Sequence, residues 1–239
     1  METTYKQLRK ATPLICLTRW NISEHICLLL SPLFSVPFIK HRIKPNTITM
    51  MMIILGFIGG ILFALPWLIC KIIAVLVYWL WFILDFSDGE VARYTKTFSK
   101  YGKQLDWMAH LICHPLIVTA TWISFRQAGV PYLDVLSVLS LLFISCELIR
   151  RNQIAFDTFL SVNTEMGIQS RSQTLPLHNW LLAQIMYFPN FVFFFPILYV
   201  ISFSLHWEGI VYIYIIWASL NCLYVIRDII RYTLFLYHS

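Results

Sequence analysis

Charged residues are scarce in this chain of 239 residues: only 13% are Asp, Glu, Lys or Arg, whereas 59% are hydrophobic. Soluble domains usually carry about a quarter charged residues, so the composition excludes an ordinary soluble globular domain and indicates a membrane protein. The formal net charge of +6 does not by itself indicate nucleic-acid binding, because basic residues of a membrane protein commonly mark its cytoplasmic loops.

Closely spaced cysteines are lacking as well. The six cysteines are scattered through mostly apolar stretches, where an isolated cysteine usually acts as a small hydrophobic side chain. The basic N-terminal residues are not followed by a short apolar core with a small-residue cleavage site, so no secretory signal is expected. The sequence therefore gives no indication of a zinc site, a disulfide framework or a cleaved leader.

Long apolar segments are abundant instead. A membrane-spanning helix needs about 20 mostly apolar residues, and six segments qualify, at residues 47–64, 67–85, 104–125, 132–149, 180–203 and 209–226. The shorter apolar stretch within residues 12–40 is interrupted by Pro32 and Pro37, which favours an interfacial helix over the alternative of a seventh span. The predicted fold is an all-α integral membrane protein, a six-transmembrane-helix bundle preceded by an N-terminal amphipathic interfacial helix.

Basic residues are distributed unevenly around these spans. They concentrate in the N-terminal arm, between spans two and three, after span four and in the tail, whereas the opposite side carries only Lys71 and Arg126. The positive-inside rule then predicts that both termini and the connection after span two are cytoplasmic. The predicted organisation is an N-terminal arm with the interfacial helix (1–45), a six-span domain (46–230) and a short cytoplasmic tail (231–239).

Acidic residues follow directly after an apolar span in the stretch DFSDGEVARYTKTFSKYGKQLDWMAH, residues 85–110. Asp85 and Asp88 are three residues apart, and Asp106 and His110 are four apart, so each pair shares one face of its helix. The short connection makes the two helices antiparallel neighbours, whose faces converge near the membrane surface. Carboxylates this close repel unless protons or cations compensate, and Mg²⁺ or Mn²⁺ prefers such oxygen ligands together with phosphates.

Small residues and an arginine alternate with these acids. Gly89 and Ala92 let a bulky ligand approach the backbone, Gly102 leaves room one turn before Asp106, and Arg93 carries a permanent charge suited to phosphate. The pattern predicts a site for a metal-chelated diphosphate. Helix packing alone can explain any single small residue, but ionisable groups at membrane depth are functional candidates by default.

The order and spacing of these residues resemble the motif of the CDP-alcohol phosphatidyltransferase family, D-x2-D-G-x2-A-R-x8-G-x3-D-x3-D. The chain supplies matching residues at Asp85, Asp88, Gly89, Ala92, Arg93, Gly102 and Asp106. The run KPNTIT at residues 44–49 is similar to the Pro-Asn-x-(Ile/Leu)-Thr run that often opens the first span of family members.

The resemblance implies a membrane transferase of phospholipid biosynthesis. Such an enzyme moves a phosphatidyl or related phospho-alcohol group from a CDP-linked donor to a hydroxyl acceptor and releases CMP. Divalent metal, Mg²⁺ or Mn²⁺, would be held by Asp85, Asp88 and Asp106. The nucleotide and diphosphate would be bound by Asn46, Thr49, Gly89, Ala92, Arg93 and Gly102. The implied partners are the donor, the acceptor, membrane lipid and a second copy in a homodimer, with no nucleic acid, and the expected location is the inner or plasma membrane.

His110 departs from the motif, because the family has an aspartate there that serves as the expected general base and helps bind metal. Histidine has an unperturbed pKa of about 6.5, against about 3.9 for aspartate, so it is better matched to accepting a proton at neutral pH. His110 is therefore the predicted catalytic residue. The alternatives are a catalytically impaired relative that binds CDP-lipid or a partner without turnover, and an engineered or sequencing change.

Four further residues, in span three and around the end of span four, are candidates for the site. His114, one turn after His110, either supports His110 by a hydrogen bond or is a satisfied core residue. Arg150 and Arg151 follow span four, where basic residues can bind the acceptor's phosphate in the family; ordinary positive-inside anchoring is the alternative. Glu147 is spaced to pair with Arg151. The polar connection 152–177 is typical of a lid or binding element, and neither its role nor the identities of acceptor and donor follow from the sequence.

Overall fold

The computed structural model describes residues 5–11, 21–160, 184–185 and 187–238. Within these residues the chain forms helices and no strand, which confirms the predicted all-α class. The helices are α1 Tyr5–Ala11, α2 Ile22–Leu30, α3 Pro32–Lys40, α4 Pro45–Ala64, α5 Leu68–Thr95, α6 Gly102–Gln127, α7 Leu133–Leu160, α8 Phe188–Leu205 and α9 Gly209–His238.

Six stretches of the described residues are long and apolar enough to cross a membrane. They are Ile22–Lys40, Pro45–Ala64, Leu68–Thr95, Gly102–Gln127, Phe188–Leu205 and Gly209–Leu234. Five of them, in α4, α5, α6, α8 and α9, correspond to predicted spans. The membrane bundle is therefore confirmed, although the candidate spans differ from the predicted spans at two places.

The two differences concern the first apolar stretch, Ile22–Lys40, and the predicted fourth span. Ile22–Lys40, predicted to be interfacial, is long and apolar enough to cross a membrane because α2 continues into α3. Ser31 between the two helices keeps helical backbone angles. Pro32 takes the first position of α3, where a missing N–H costs nothing. The predicted fourth span lies within α7, a continuous 28-residue helix. This helix is not among the six, and it carries the charged residues Asp134, Glu147, Arg150, Arg151 and Asp157.

Helix α4 packs against both α5 and α6, and two of its glycines allow the close approach. A Cβ at Gly56 would collide with the sulfur of Cys113 on α6, and a Cβ at Gly59 would lie 2.6 Å from the ring of Tyr78 on α5. Side chains of α5 and α6 meet beside α4. We call the end of the bundle at which α4 and α6 begin and α5 ends the motif end.

At the motif end, the N-terminal helices are tied to α5 through a fully buried acid. Glu90 accepts hydrogen bonds from Ser31 Oγ (2.8 Å), Ser35 Oγ (2.6 Å) and the guanidinium of Arg9 (2.6 Å). These contacts join α1 and the α2–α3 stretch to the turn of α5 that carries Gly89. The N-terminal helices therefore pack against the segment of α5 that carries the acidic motif.

At the opposite end, Lys71 is buried rather than exposed in a connection. Its Nζ donates to Phe63 O and to Ser124 Oγ, both at 2.8 Å, and it faces the ring of Tyr199 at 5.3 Å. Lys71 therefore joins the ends of α4, α5 and α6. It serves as a structural group of the core and not as a basic residue of an external loop.

Candidate active site

Asp85, Asp106 and His110 converge at the motif end, as their helical spacing predicts. His110 Nε2 lies 3.2 Å from Asp85 Oδ1 and 3.6 Å from Asp106 Oδ1. One potential ligand atom of each residue lies within 4.8 Å of the others. Helix α5 supplies the first acid, and α6 supplies the second acid and the imidazole, so the cluster forms only where these two helices face each other.

Asp88 lies one turn further along α5 and faces α4. Its Oδ2 accepts a 2.7 Å hydrogen bond from Thr49 Oγ1, which orients the carboxylate. At the start of α4, Asn46 donates to Ser99 Oγ at 3.1 Å, and its Oδ1 is 3.6 Å from the point where a Cβ on Gly102 would stand. The two α4 residues predicted from the KPNTIT run therefore reach the motif, one at Asp88 and the other beside Gly102.

Arg93 folds back along α5 over Gly89. A Cβ at Gly89 would come within 3.0 Å of Arg93 Nη1 and 3.3 Å of Nη2, so a side chain there would displace the guanidinium. Arg93 is exposed and Ala92 is half-buried. Gly89 thus leaves room for an exposed guanidinium, and such a group is suited to binding phosphate oxygens.

The acid cluster fits a divalent cation. Among the described residues, buried Asp106 Oδ1 has no hydrogen-bond donor, although a buried carboxylate oxygen normally has a partner. One potential ligand atom of Asp85 and one of His110 lie within 4.8 Å of a ligand atom of Asp106. A cation bound by the carboxylates of Asp85 and Asp106 would satisfy the unpartnered oxygen and relieve the repulsion between the two acids.

A chain of buried side chains continues behind His110. His110 Nδ1 lies 3.2 Å from His114 Nε2, and His114 Nδ1 lies 2.9 Å from Glu147 Oε1 on α7. Glu147 also accepts from Arg151 Nε at 3.1 Å. The predicted Glu147–Arg151 pair is confirmed, and of the two alternatives for His114 the structure shows the contact with His110. The link from His114 to Glu147 was not predicted, since nothing in the sequence shows which face of α7 turns toward α6.

The model of the CDP-alcohol phosphatidyltransferase family matches residues 42–221, well over half of the chain. The chain belongs to this family. No similar sequence was found among curated proteins. Membership makes the chain one of a family of transferases and supports a role in phosphatidyl transfer for phospholipid synthesis. The matched segment contains α4–α8 and the first part of α9, and therefore every motif residue described above.

Aromatic rings enclose His110 and His114. Trp81 presents its edge to His110 at 5.2 Å between ring centroids, and Phe188 stacks on His114 at 4.4 Å. His114 is only 1% exposed. These contacts were not predictable from the sequence, because the aromatic residues belong to apolar runs in which almost any position is hydrophobic.

The two arginines after the predicted fourth span are half-buried on α7. The Arg151 guanidinium lies 5.7 Å from the centroid of the Trp107 ring, and that of Arg150 lies 5.8 Å from the Tyr224 ring. Arg151 is already engaged with Glu147. Their predicted contact with an acceptor's phosphate stays a prediction.

A cavity of about 260 Å³ lies at the other end of the bundle. It is lined by residues such as Phe125, Tyr199, His206 and Trp207. Phe125 stands near the end of α6, roughly 30 Å along the helix from Asp106 at a rise of about 1.5 Å per residue. This cavity is therefore separate from the acidic motif.

Proposed function

We propose that the chain transfers a phosphatidyl or related phospho-alcohol group from a CDP-linked donor to a hydroxyl acceptor and releases CMP. The observation that carries the proposal is the convergence of Asp85, Asp106 and His110 where α5 meets α6, inside the segment matched by the family. The two carboxylates can bind a cation, and the imidazole beside them can accept a proton.

Asp85, Asp88 and Asp106 are proposed to hold Mg²⁺ or Mn²⁺. When bound, the cation neutralises charge on the donor's diphosphate. The unpartnered oxygen of Asp106 and the hydrogen bond from Thr49 that orients Asp88 support this assignment.

The donor is proposed to lie along the small-residue side of α5. Gly89 and Ala92 leave room for the diphosphate, and Arg93 binds its oxygens through the exposed guanidinium. The nucleotide lies toward the start of α4, where Asn46, Thr49 and Gly102 line the space. The support is the placement of Arg93 over Gly89 and of Asn46 beside Gly102.

His110 is proposed to be the general base. Its Nε2 takes the proton of the acceptor hydroxyl while that oxygen forms a bond to the β-phosphorus. The bond from this phosphorus to the bridging oxygen breaks, its electron pair stays with that oxygen, and CMP leaves. His110 then loses the proton to solvent, so that one proton is released in each turnover.

The acceptor and the membrane arrangement complete the proposal. Arg150 and Arg151 bind a phosphate of the acceptor where it has one. Both chain termini and the motif end face the cytoplasm of an inner or plasma membrane, a placement supported by the basic residues concentrated on that side. The active form is proposed to be a homodimer.

A second candidate function is a membrane protein that binds a CDP-linked lipid without turning it over. The replacement of the fourth motif aspartate by His110 favours it. The two candidates differ in whether CMP is released, which makes CMP the informative product.

The test is CMP release by the purified protein in detergent. CDP-diacylglycerol and other CDP-alcohols are offered with a panel of hydroxyl acceptors, with and without Mg²⁺ or Mn²⁺, to the wild type, His110→Asp and His110→Ala. Metal-dependent release that is lost in His110→Ala is the expected result. No CMP release by the wild type, together with CMP release by His110→Asp, would favour the second candidate, a protein that binds a CDP-linked lipid without turnover. Unchanged turnover in His110→Ala, with none in Asp106→Ala, would place the base elsewhere.

A further inference from the structure

Glu147 is the fixed end of the buried chain behind His110. It is 5% exposed and its Oε1 accepts from Arg151 Nε at 3.1 Å, so a cationic partner stabilises its ionised form. An ionised carboxylate carries no hydrogen and only accepts hydrogen bonds. The 2.9 Å contact between Glu147 Oε1 and His114 Nδ1 therefore requires a hydrogen on His114 Nδ1.

The hydrogen on His114 Nδ1 also affects which nitrogen of His110 carries a hydrogen. A neutral imidazole has a hydrogen on one nitrogen and a lone pair on the other, so His114 Nε2 is an acceptor. His110 Nδ1, 3.2 Å away, is then the donor of the second hydrogen bond. The remaining nitrogen of His110, Nε2, is then left with its lone pair facing Asp85 Oδ1 at 3.2 Å and Asp106 Oδ1 at 3.6 Å. These carboxylates would by themselves favour a hydrogen on Nε2, so the chain through His114 and Glu147 competes with them for the tautomer of His110.

The rings are also held against rotation. Trp81 lies edge-on to His110, and Phe188 stacks on His114. The opposite tautomer of His110 would direct an N–H at the two carboxylates and leave Nδ1 facing His114 as an acceptor. That form accepts no proton from a hydroxyl at Nε2, whereas an aspartate at this position has no tautomers and needs no such support.

We propose that His114 and Glu147 are positioning residues that hold His110 in the tautomer whose Nε2 lone pair faces the acid cluster. The proposal rests on the proposed function, in which His110 Nε2 is the base. It explains why a histidine can stand in the fourth motif position of this chain: buried groups on α6 and α7 select the tautomer. Arg151 assists by keeping Glu147 ionised.

The direct test is nitrogen NMR of the protein labelled with ¹⁵N-histidine, with the His110 signals assigned by their loss in His110→Ala. We expect the wild type to carry its hydrogen on Nδ1 of His110. His114→Phe keeps an aromatic ring between Trp81 and Phe188 but removes both hydrogen bonds, so the two His110 tautomers should become mixed. Glu147→Gln keeps an accepting oxygen and should retain the wild-type tautomer, whereas Glu147→Leu should not. An unchanged tautomer in both His114→Phe and Glu147→Leu would overturn the proposal.

The functional test compares His114→Phe in two backgrounds. Removing the partner that orients a site histidine typically costs about 10- to 100-fold, so we expect kcat to fall by that factor with the donor KM little changed. In the His110→Asp background the same change should cost less than about threefold, because the aspartate has no tautomer to select. Equal losses in both backgrounds would show a merely structural role and overturn the proposal.

A matched control and a check on function complete the design. Ser140→Ala removes a buried hydrogen bond from α7, that between Ser140 and Tyr214 (2.7 Å), without touching the histidines, and should preserve both the tautomer and kcat. If the wild type releases no CMP from any CDP-linked donor, the proposed function fails, while the NMR result still decides whether His114 and Glu147 select the tautomer.

Discussion

The ion pair between Arg9 and Glu90 offers a quantitative test of how the N-terminal arm is held. Glu90 is fully buried, and the Arg9 side chain is 10% exposed. The carboxylate accepts from the guanidinium at 2.6 Å and from two serine hydroxyls, of Ser31 and Ser35. Changing either member of the pair alone should therefore destabilise the bundle at the motif end.

The expected magnitudes follow from burial and hydrogen bonding. Arg9→Met keeps a long side chain but leaves an ionised Glu90 with only hydroxyl donors among these three partners, and breaking a buried pair in this way costs about 3–5 kcal/mol. Glu90→Gln keeps an acceptor and removes the charge, which costs about 1.5–3 kcal/mol for a hydrogen bond to a charged group. The double variant contains no unpaired carboxylate. Its loss should therefore fall short of the sum of the single losses by about 1–3 kcal/mol.

The assay is equilibrium unfolding in mixed detergent micelles, followed by fluorescence of the nine tryptophans. Protease cleavage before α2 reports separately on undocking of the arm. Additive losses in the double variant would refute the reasoning, because they would mean that the charges of Arg9 and Glu90 do not interact across α1 and α5. A loss below about 1 kcal/mol in Arg9→Met, the range of exposed pairs, would show that water reaches the carboxylate.

Three further predictions concern packing and the metal. Gly56→Ala should lower the free energy of unfolding by about 1–3 kcal/mol through overpacking. Gly60→Ala should be neutral, because its Cβ would meet only ordinary contacts at 3.6 Å or more. Equal effects of the two substitutions would contradict the close approach of α4 to α6. Thr49→Val should raise the Mn²⁺ concentration needed for CMP release while Thr49→Ser retains it, and an unchanged requirement in Thr49→Val would show that the hydrogen bond to Asp88 does not matter. Chelator should abolish CMP release, and Mn²⁺ at about 100 times its Kd should raise the free energy of unfolding by about 2.7 kcal/mol; an equal rise in Asp106→Asn would place the metal elsewhere.

Helical periodicity predicted the parts of the site that are local in the chain. Asp85 and Asp88 share a face at a spacing of three, and Asp106 and His110 share one at a spacing of four. The short connection between α5 and α6 then brought Asp85, Asp106 and His110 together. The same local reasoning correctly predicted five of the six long apolar helices.

Contacts between helices distant in sequence were not predictable in this way. Glu147 is 33 residues from His114, and Arg9 is 81 residues from Glu90. Helix α7 is apolar on several faces, so the sequence does not show which side turns toward α6. The interfacial position of the proline-interrupted stretch Ile22–Lys40 stays a prediction. Ser31 keeps helical geometry, so the two helices form one apolar stretch that is also long enough to cross a membrane.

The sequence by itself determined the all-α membrane class, the family motif and the two acid pairs, because hydropathy and the helical repeat are properties of consecutive residues. Only the tertiary structure decided that Thr49 orients Asp88, that Glu90 anchors the N-terminal arm, and that His110 is backed by His114 and Glu147. These contacts depend on how each helix is rotated about its axis. That rotation is set by close approaches such as Gly56 against Cys113, through interlocking side chains that no single segment encodes.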